Sequence, residues 1–149
     1  AVLGASGAGT VRVSVAQRAY IAGFLEGEGS FIILRNTGNR LIPQISAAQK
    51  SQKPLNLIQR LYGGFIFHRK REDGGECWHY RIHNFRGVAK LIEDIYPFLV
   101  SSRARYRSAC IYHLSRRYRG KRGLGKKPLP IEEREKREKI YEMWSKSRR

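Results

Sequence analysis

The chain has 149 residues, with 30 Lys and Arg against 12 Asp and Glu, a formal net charge of +18 and a pI near 10.6. That length supports one domain with its own core, and the charge calls for a polyanionic partner, nucleic acid before membrane, since no run of about 18 apolar residues exists to span a bilayer. The two cysteines, Cys77 and Cys110, have no CxxC partner, which points to a reducing, intracellular setting, and Cys77, His79 and His83 lack a fourth ligand for structural zinc.

Residues 1–13 read as a flexible or loosely docked arm rich in Gly, Ala and Val, without the basic segment and apolar block of a signal peptide. Ser14 and Gln17 make a capping box that opens a helix running to about Leu25 or Glu26. Residues 30–35 are β-formers, residues 36–39 a turn, and residues 40–49 a returning strand in which Pro43 requires an edge position or a bulge. Ser51 and Pro54 open a helix over residues 54–61, broken by Gly63 and Gly64. A second hairpin goes out over 65–71, turns at 72–75 and returns over 77–83. Residues 86–95 form an amphipathic helix with Val88, Leu91, Ile92 and Ile95 inward, stopped by Pro97. Ser101 or Ser102 caps a helix to about Tyr118, residues 119–130 are a basic Gly/Pro linker, and residues 131–146 are a last helix with Glu–Lys pairing. The expected fold is therefore α+β, in the order αββαββα over residues 14–118, followed by residues 119–149 as linker and C-terminal helix.

One stretch breaks local rules. The first helix ends in Glu26-Gly27-Glu28-Gly29, two carboxylates at the end where the helix dipole is negative and basic side chains belong. The nearest basic residues are Arg18 and Arg35. Acids beside open backbone carbonyls suit a hard divalent cation. In so basic a chain, a cation-binding acidic spot points to a nuclease.

Residues 21–29, Ile-Ala-Gly-Phe-Leu-Glu-Gly-Glu-Gly, resemble the LAGLIDADG motif of homing endonucleases. The resemblance implies that family's fold, an antiparallel saddle-shaped sheet with helices on one face. It implies paired motif helices at a subunit interface, with Ala22, Gly23, Glu26 and Gly27 at the contact, and Glu28 as the metal-binding carboxylate beside the Gly27 carbonyl. Residues 48–53, Ala-Gln-Lys-Ser-Gln-Lys, resemble the family segment that orders active-site waters, which maps to Gln49 with Lys53 as the basic companion. The family's other basic residue follows a Pro-Phe-Leu segment. Here, after Pro97-Phe98-Leu99, its place holds Ser102 next to Arg103, so either residue is a candidate for that role. The implied cofactor is Mg²⁺, with Mn²⁺ tolerated and Ca²⁺ supporting binding without cutting. A single motif copy implies a homodimer acting on a long, roughly palindromic double-stranded DNA site, cut across the minor groove. Overall likeness further implies an intron-encoded protein of the archaeal ribosomal-RNA kind, and the compartment would be cytoplasm or nucleoid in a prokaryote and an organelle in a eukaryote.

A two-stranded ribbon fits the DNA major groove, and strand alternation sorts the candidate readers. The first hairpin offers Ser30, Ile32, Leu34 and Asn36, then Arg40, Gln44 and Ser46 with Ile42. In the second, His79, Arg81 and His83 face out while Trp78, Tyr80 and Ile82 turn inward; on the outgoing strand Phe65, Phe67, Arg69 and Arg71 share one phase, but its two faces separate poorly and leave its register open. Arg105, Arg116 and Arg117, interleaved with tyrosines, fit phosphate contacts. The C-terminal helix mixes both charge signs and reads as a packing or solvated helix. Two rivals share these features: an intron RNA maturase that has lost cutting, and a non-catalytic nucleic-acid-binding protein, which would have no reason to place Gly-Glu-Gly-Glu-Gly at a helix end.

Overall fold

The computed structural model describes residues 12–119 and 129–147; the arm over residues 1–11 and the linker over 120–128 lie outside the described residues. Helix α1 spans Val15–Glu28, strands β1 and β2 span Gly29–Arg35 and Leu41–Gln49, and helix α2 spans Lys53–Tyr62. Strands β3 (Phe65–Lys70) and β4 (Glu76–Ile82) follow, then α3 (Phe85–Ile95), a 3-10 turn at Tyr96–Phe98, α4 (Ser102–Arg119) and α5 (Ile131–Lys146). The expected order holds over its whole length.

Local chemistry explains the boundaries. The Ser14 hydroxyl accepts the Gln17 N–H at 3.1 Å while Gln17 Oε1 accepts the Ser14 N–H at 3.0 Å, the reciprocal box read from the sequence. Helix α1 runs two or three residues further than expected, to Glu28, and Gly29 closes it by donating to the Leu25 carbonyl. A Cβ on Gly29 would sit 2.8 Å from that same oxygen, so only glycine permits so abrupt a passage into β1. Gln52 precedes α2 without a side-chain cap, while the Ser51 hydroxyl accepts the N–H of Lys53, the first residue of α2, at 3.4 Å. Ser101 caps α4, its hydroxyl accepting the Ala104 N–H at 3.2 Å.

The four strands form one antiparallel open sheet in the order β1-β2-β4-β3. Pro43 lies in β2, opposite Ile33 of β1, but the ladder to β4 starts only at Ile45. The proline therefore occupies the part of β2 that has one neighbour, which resolves the edge requirement. One face of the sheet carries Phe31, Ile33, Leu41, Ile45, Ala47, Tyr80 and Ile82, all buried beneath the helices. Ile21, Ala22 and Leu25 of α1, Leu55 and Ile58 of α2, Val88, Leu91, Ile92 and Ile95 of α3 and Ile111 and Leu114 of α4 complete the core. Val13, at the end of the expected arm, is also buried in it. A polar knot crosses that layer: buried Asp94 accepts from Tyr62 Oη at 2.7 Å and from Lys90 Nζ at 3.1 Å, with Arg18 4.0 Å away. Burial and the Asp94 carboxylate hold the Tyr62 phenol well above its ordinary range.

Helix α5 belongs to this body. Trp144 is buried and donates its indole N–H to the Phe31 carbonyl at 2.9 Å, and Arg35 grips Glu138 through two bonds of 2.7 and 2.9 Å. Glu133 is buried between Arg117, which bonds both its oxygens (2.6 and 3.1 Å), and Arg137 (2.8 Å), whose guanidinium lies 3.9 Å from the Tyr118 ring centroid. Burial alone would raise the Glu133 pKa, but the bonds from Arg117 and Arg137 outweigh it and hold the carboxyl below its usual value. Stability from this group is present above the ordinary carboxylate pKa and is lost as pH falls through the depressed native value. Glu133→Gln is expected to lower stability by about 3 kcal/mol, because it strands a buried guanidinium. Urea melts of both proteins should differ near neutral pH and converge in acid; equal midpoints at neutral pH would show the network contributes nothing.

Candidate functional site

Glu28 is the last residue of α1 and is exposed. The final helical bond ends at the Leu25 carbonyl, so the Glu26 and Gly27 carbonyls belong to the open helix end, and no basic residue occupies the last turn. Gly29 pairs with Ala47 across β1 and β2, so the end of α1 and the end of β2, with Gln49, lie at one end of the sheet. Gln49 is half-buried and its Oε1 accepts the Lys50 N–H at 2.9 Å, which leaves the side-chain amide to donate. Lys53 is exposed at the start of α2.

Glu26 does something else. Its carboxylate accepts the backbone N–H groups of Val100 and Ser101, the latter at 3.3 and 3.4 Å, and so clamps the N-terminus of α4 against the end of α1. Ser102 and Arg103 follow directly, in the first turn of α4. Glu26 thus supports the helix end within its own protomer. Ala22 is corrected from the expected interface set, being fully buried in the protomer's own core.

The outer face of α1 is different. Ala16, Ala19, Tyr20, Gly23 and Gly27 are exposed at helical spacing, Tyr20 stacking on Phe24 with ring centroids 6.3 Å apart. A Cβ placed on Gly23 or Gly27 would meet nothing within 4 Å. The protomer's own packing therefore gives no reason for either glycine, although each weakens the helix by roughly 1 kcal/mol relative to alanine.

The sheet face away from the helices collects the candidate readers. The registers align Ser30, Ser46, Arg81 and Phe65 in one row across all four strands, and Ala48, His79 and Phe67 in the next. Ile32 pairs with Gln44, Leu34 with Ile42, and Arg69 with Cys77 on the same face. Asn36 and Arg40 are exposed at the first hairpin tip, where Asn36 Oδ1 accepts the Arg40 N–H at 3.1 Å. Arg71, at the opposite tip, pairs with Asp73 at 3.4 Å. His83 is exposed just beyond β4. Burial, then Arg69 and Arg81, lower the His79 pKa, so its imidazole is neutral near pH 7 and acts as a hydrogen-bonding ring and not a charge. The two hairpins point in opposite directions, so the face spans about ten residue steps from Leu41 to Glu76, about 33 Å. That is the rise of about ten base pairs of duplex.

One assignment leaves this face, and the three phosphate candidates lie elsewhere. Gln44 shares its phase but is only 4% exposed and presents almost no surface. Arg105, Arg116 and Arg117 lie on α4, which packs against the opposite side of the sheet. Arg105 donates to the Leu99 carbonyl at 3.3 Å and sits 4.7 Å from the Tyr96 ring centroid; Arg116 is 3.9 Å from Glu93; Arg117 is bound to Glu133. These contacts lie within the protomer, and Arg105 and Arg116 remain exposed. Phe65 and Phe67 share the reading face with the candidate readers but are not among them.

The chain belongs to the LAGLIDADG endonuclease family, whose sequence profile matches residues 21–113. No match is found among curated protein sequences. Among solved structures, it is similar to the archaeal intron-encoded homing endonuclease I-Vdi141I complexed with DNA, at 21% identity and a TM-score of 0.67 over 89% of this chain and 84% of that one. It is similar to the homing endonuclease I-CvuI in complex with the I-CreI target, at 19% identity and a TM-score of 0.56 over 90% and 96%. It is also similar to the LAGLIDADG homing endonuclease I-SmaMI bound to cleaved DNA, at 18% identity and a TM-score of 0.65, covering 89% of this chain but 45% of that one. At these identities each likeness is one of fold. The fold and family expected from residues 21–29 both stand.

Proposed function

We propose that this protein is a site-specific double-strand DNA homing endonuclease that works as a homodimer, hydrolyses phosphodiesters with a divalent metal, and promotes intron mobility. The observation that carries this reading is Glu28, an exposed carboxylate at the open end of a helix whose outer stripe exposes Ala16, Ala19, Gly23 and Gly27 beside Tyr20.

The donor set fits a hard cation: the Glu28 carboxylate and the Gly27 carbonyl supply oxygen, which Mg²⁺ prefers. Among the described residues, no group of three or more His, Cys, Asp and Glu side chains could hold a metal, so one protomer offers a partial site. A second copy and the DNA phosphates would supply the remaining oxygens. Such an ion lowers the pKa of bound water and neutralises charge on the attacking and leaving oxygens. The chain's own residues do the rest. Gln49 orients water through its amide, Lys53 supplies positive charge at the start of α2, and Ser102 or Arg103, just after the residues held by Glu26, fills the second basic role. Ser30, Ile32, Leu34, Asn36, Arg40, Ser46, Arg69, Arg71, His79, Arg81 and His83 face one half-site in the major groove.

Two considerations support the dimer. The chain matches most of I-CvuI but less than half of I-SmaMI, so it has the size of one half of the longer protein. A face of about ten base pairs, doubled by two-fold symmetry, reads about 20, with each half-site repeated in inverted orientation.

The test is a selection on a random duplex library, with Mg²⁺ or Mn²⁺ for cutting and Ca²⁺ for binding alone. A long, near-palindromic cut site is the expected outcome. Binding without cutting in every metal, with preference for intron RNA, would replace this reading by a maturase.

A further inference from the structure

We propose that Phe65 and Phe67 form a methyl-reading shelf that recognises the C5-methyl group of a thymine in each half-site, beside a guanine read by Arg81. The proposal rests on the duplex-DNA reading above and names two specificity residues within it.

The shelf is an anomaly in a chain of this charge. Phe65 is 41% exposed on β3, an edge strand, and points away from the core. Exposed aromatics on a sheet edge are an aggregation liability and need an apolar group to meet. The two rings lie 6.1 Å apart and are held from the next strand: His79 stacks on Phe67 at 5.2 Å and 12°, and His83 meets Phe65 edge-on at 5.6 Å and 77°. The Arg81 guanidinium sits 5.2 Å from the Phe67 centroid, and its Nε is buried without a hydrogen-bond partner. Packing has therefore fixed both the shelf and the guanidinium beside it before any ligand arrives.

Duplex DNA offers one apolar group in the major groove, the thymine methyl; the other base-edge groups there are hydrogen-bond donors or acceptors. An apolar shelf on a ribbon that enters that groove has no other partner of its own chemistry. Arg81 pairs across the sheet with Phe65 and Ser46, so a guanine contacted by its guanidinium would be next to the thymine. His79 and Arg81 already occupy the ring face of Phe67, which favours an edge contact with a methyl over stacking of an unpaired base. The positive charge of Arg69, Arg81 and the chain as a whole complements the flanking phosphates.

The test uses the duplex recovered by binding selection in Ca²⁺. Each thymine is replaced in turn by uracil, which keeps every hydrogen-bonding group and lacks only the methyl. At one position per half-site the substitution should weaken binding about 4-fold, and about 15-fold when made in both half-sites. Phe65→Ala and Phe67→Ala should bind the thymine and uracil duplexes equally well at that position. Phe65 is exposed enough that its variant tests the shelf even should Phe67→Ala fold poorly. Uniform insensitivity to uracil, or an undiminished uracil penalty in both variants, would overturn the shelf while leaving the nuclease reading intact. Preference for unpaired over duplex ligands would overturn it in favour of base stacking. Failure to select any duplex would instead remove the DNA reading itself, and the shelf with it.

Discussion

Glu28→Gln is expected to reduce cleavage on the order of 10³-fold while specific binding in Ca²⁺ stays within about threefold of the parent. The change removes one charge and almost no volume. Glu28 lies at the open end of α1 and not on the reading face, so base contacts should not notice its loss. Stability should hold or rise slightly. A carboxylate at the negative end of a helix dipole is unfavourable by roughly 0.3–1 kcal/mol, and the amide removes that repulsion. A gain in thermal midpoint together with loss of activity is the signature of a residue kept for function at some cost to the fold. Single-turnover cleavage of the selected duplex, with a melting curve alongside, checks both. Undiminished cleavage in Mg²⁺ would remove Glu28 from the site.

Which parts of this arrangement could be read beforehand follows from how local their causes are. The α1 capping box involves residues three apart, and the β4 alternation of Trp78, Tyr80 and Ile82 against His79, Arg81 and His83 is a period-two pattern within one strand. Both were legible. The phase of β3 was harder, because His68 and Lys70 share the helix-side phase yet are exposed. The tip of that ribbon extends past the helices, so burial no longer separates its faces; His68 rests on Trp78 at 4.7 Å and lies 3.6 Å from Glu76. Pairing with β4 sets the phase that composition left open.

Long-range pairing was not legible. Helix α5 carries charges of both signs and resembles a solvated helix until Arg35 is found on Glu138 and Arg117 on Glu133. The first pair joins residues 103 apart in sequence. The same distance effect hides the Arg117–Glu133 pair, since a basic cluster reveals charge but not which acids fold against it. At the motif, Ala22 and Gly23 are adjacent and both small, and only the helix phase shows that one is core and the other surface. Glu26 and Glu28 were separable as carboxylates of different roles; the partner of Glu26, the start of α4, is more than 70 residues away.

Gly23→Leu is expected to convert the proposed dimer to a monomer with an unaltered or higher melting temperature. Within the protomer the position is open: nothing lies within 4 Å of an added Cβ, and leucine is a far better helix former than glycine. Any loss must therefore arise between copies. Helices approach more closely than the usual 8–10 Å only where the contact is made of small residues, and a leucine at its centre forces them apart. Two chains of +18 repel one another, so the proposed interface would depend on close packing and on a shared DNA more than on charge. Sedimentation velocity at about 0.3 M salt, where screening weakens that repulsion, should show the parent as a dimer and the variant at half its mass. Cleavage should be lost with it, since a single protomer holds a partial donor set, while weak binding to one half-site persists. A Gly23→Leu protein that still sediments as a dimer would place the interface on another face and leave the α1 stripe without its proposed partner.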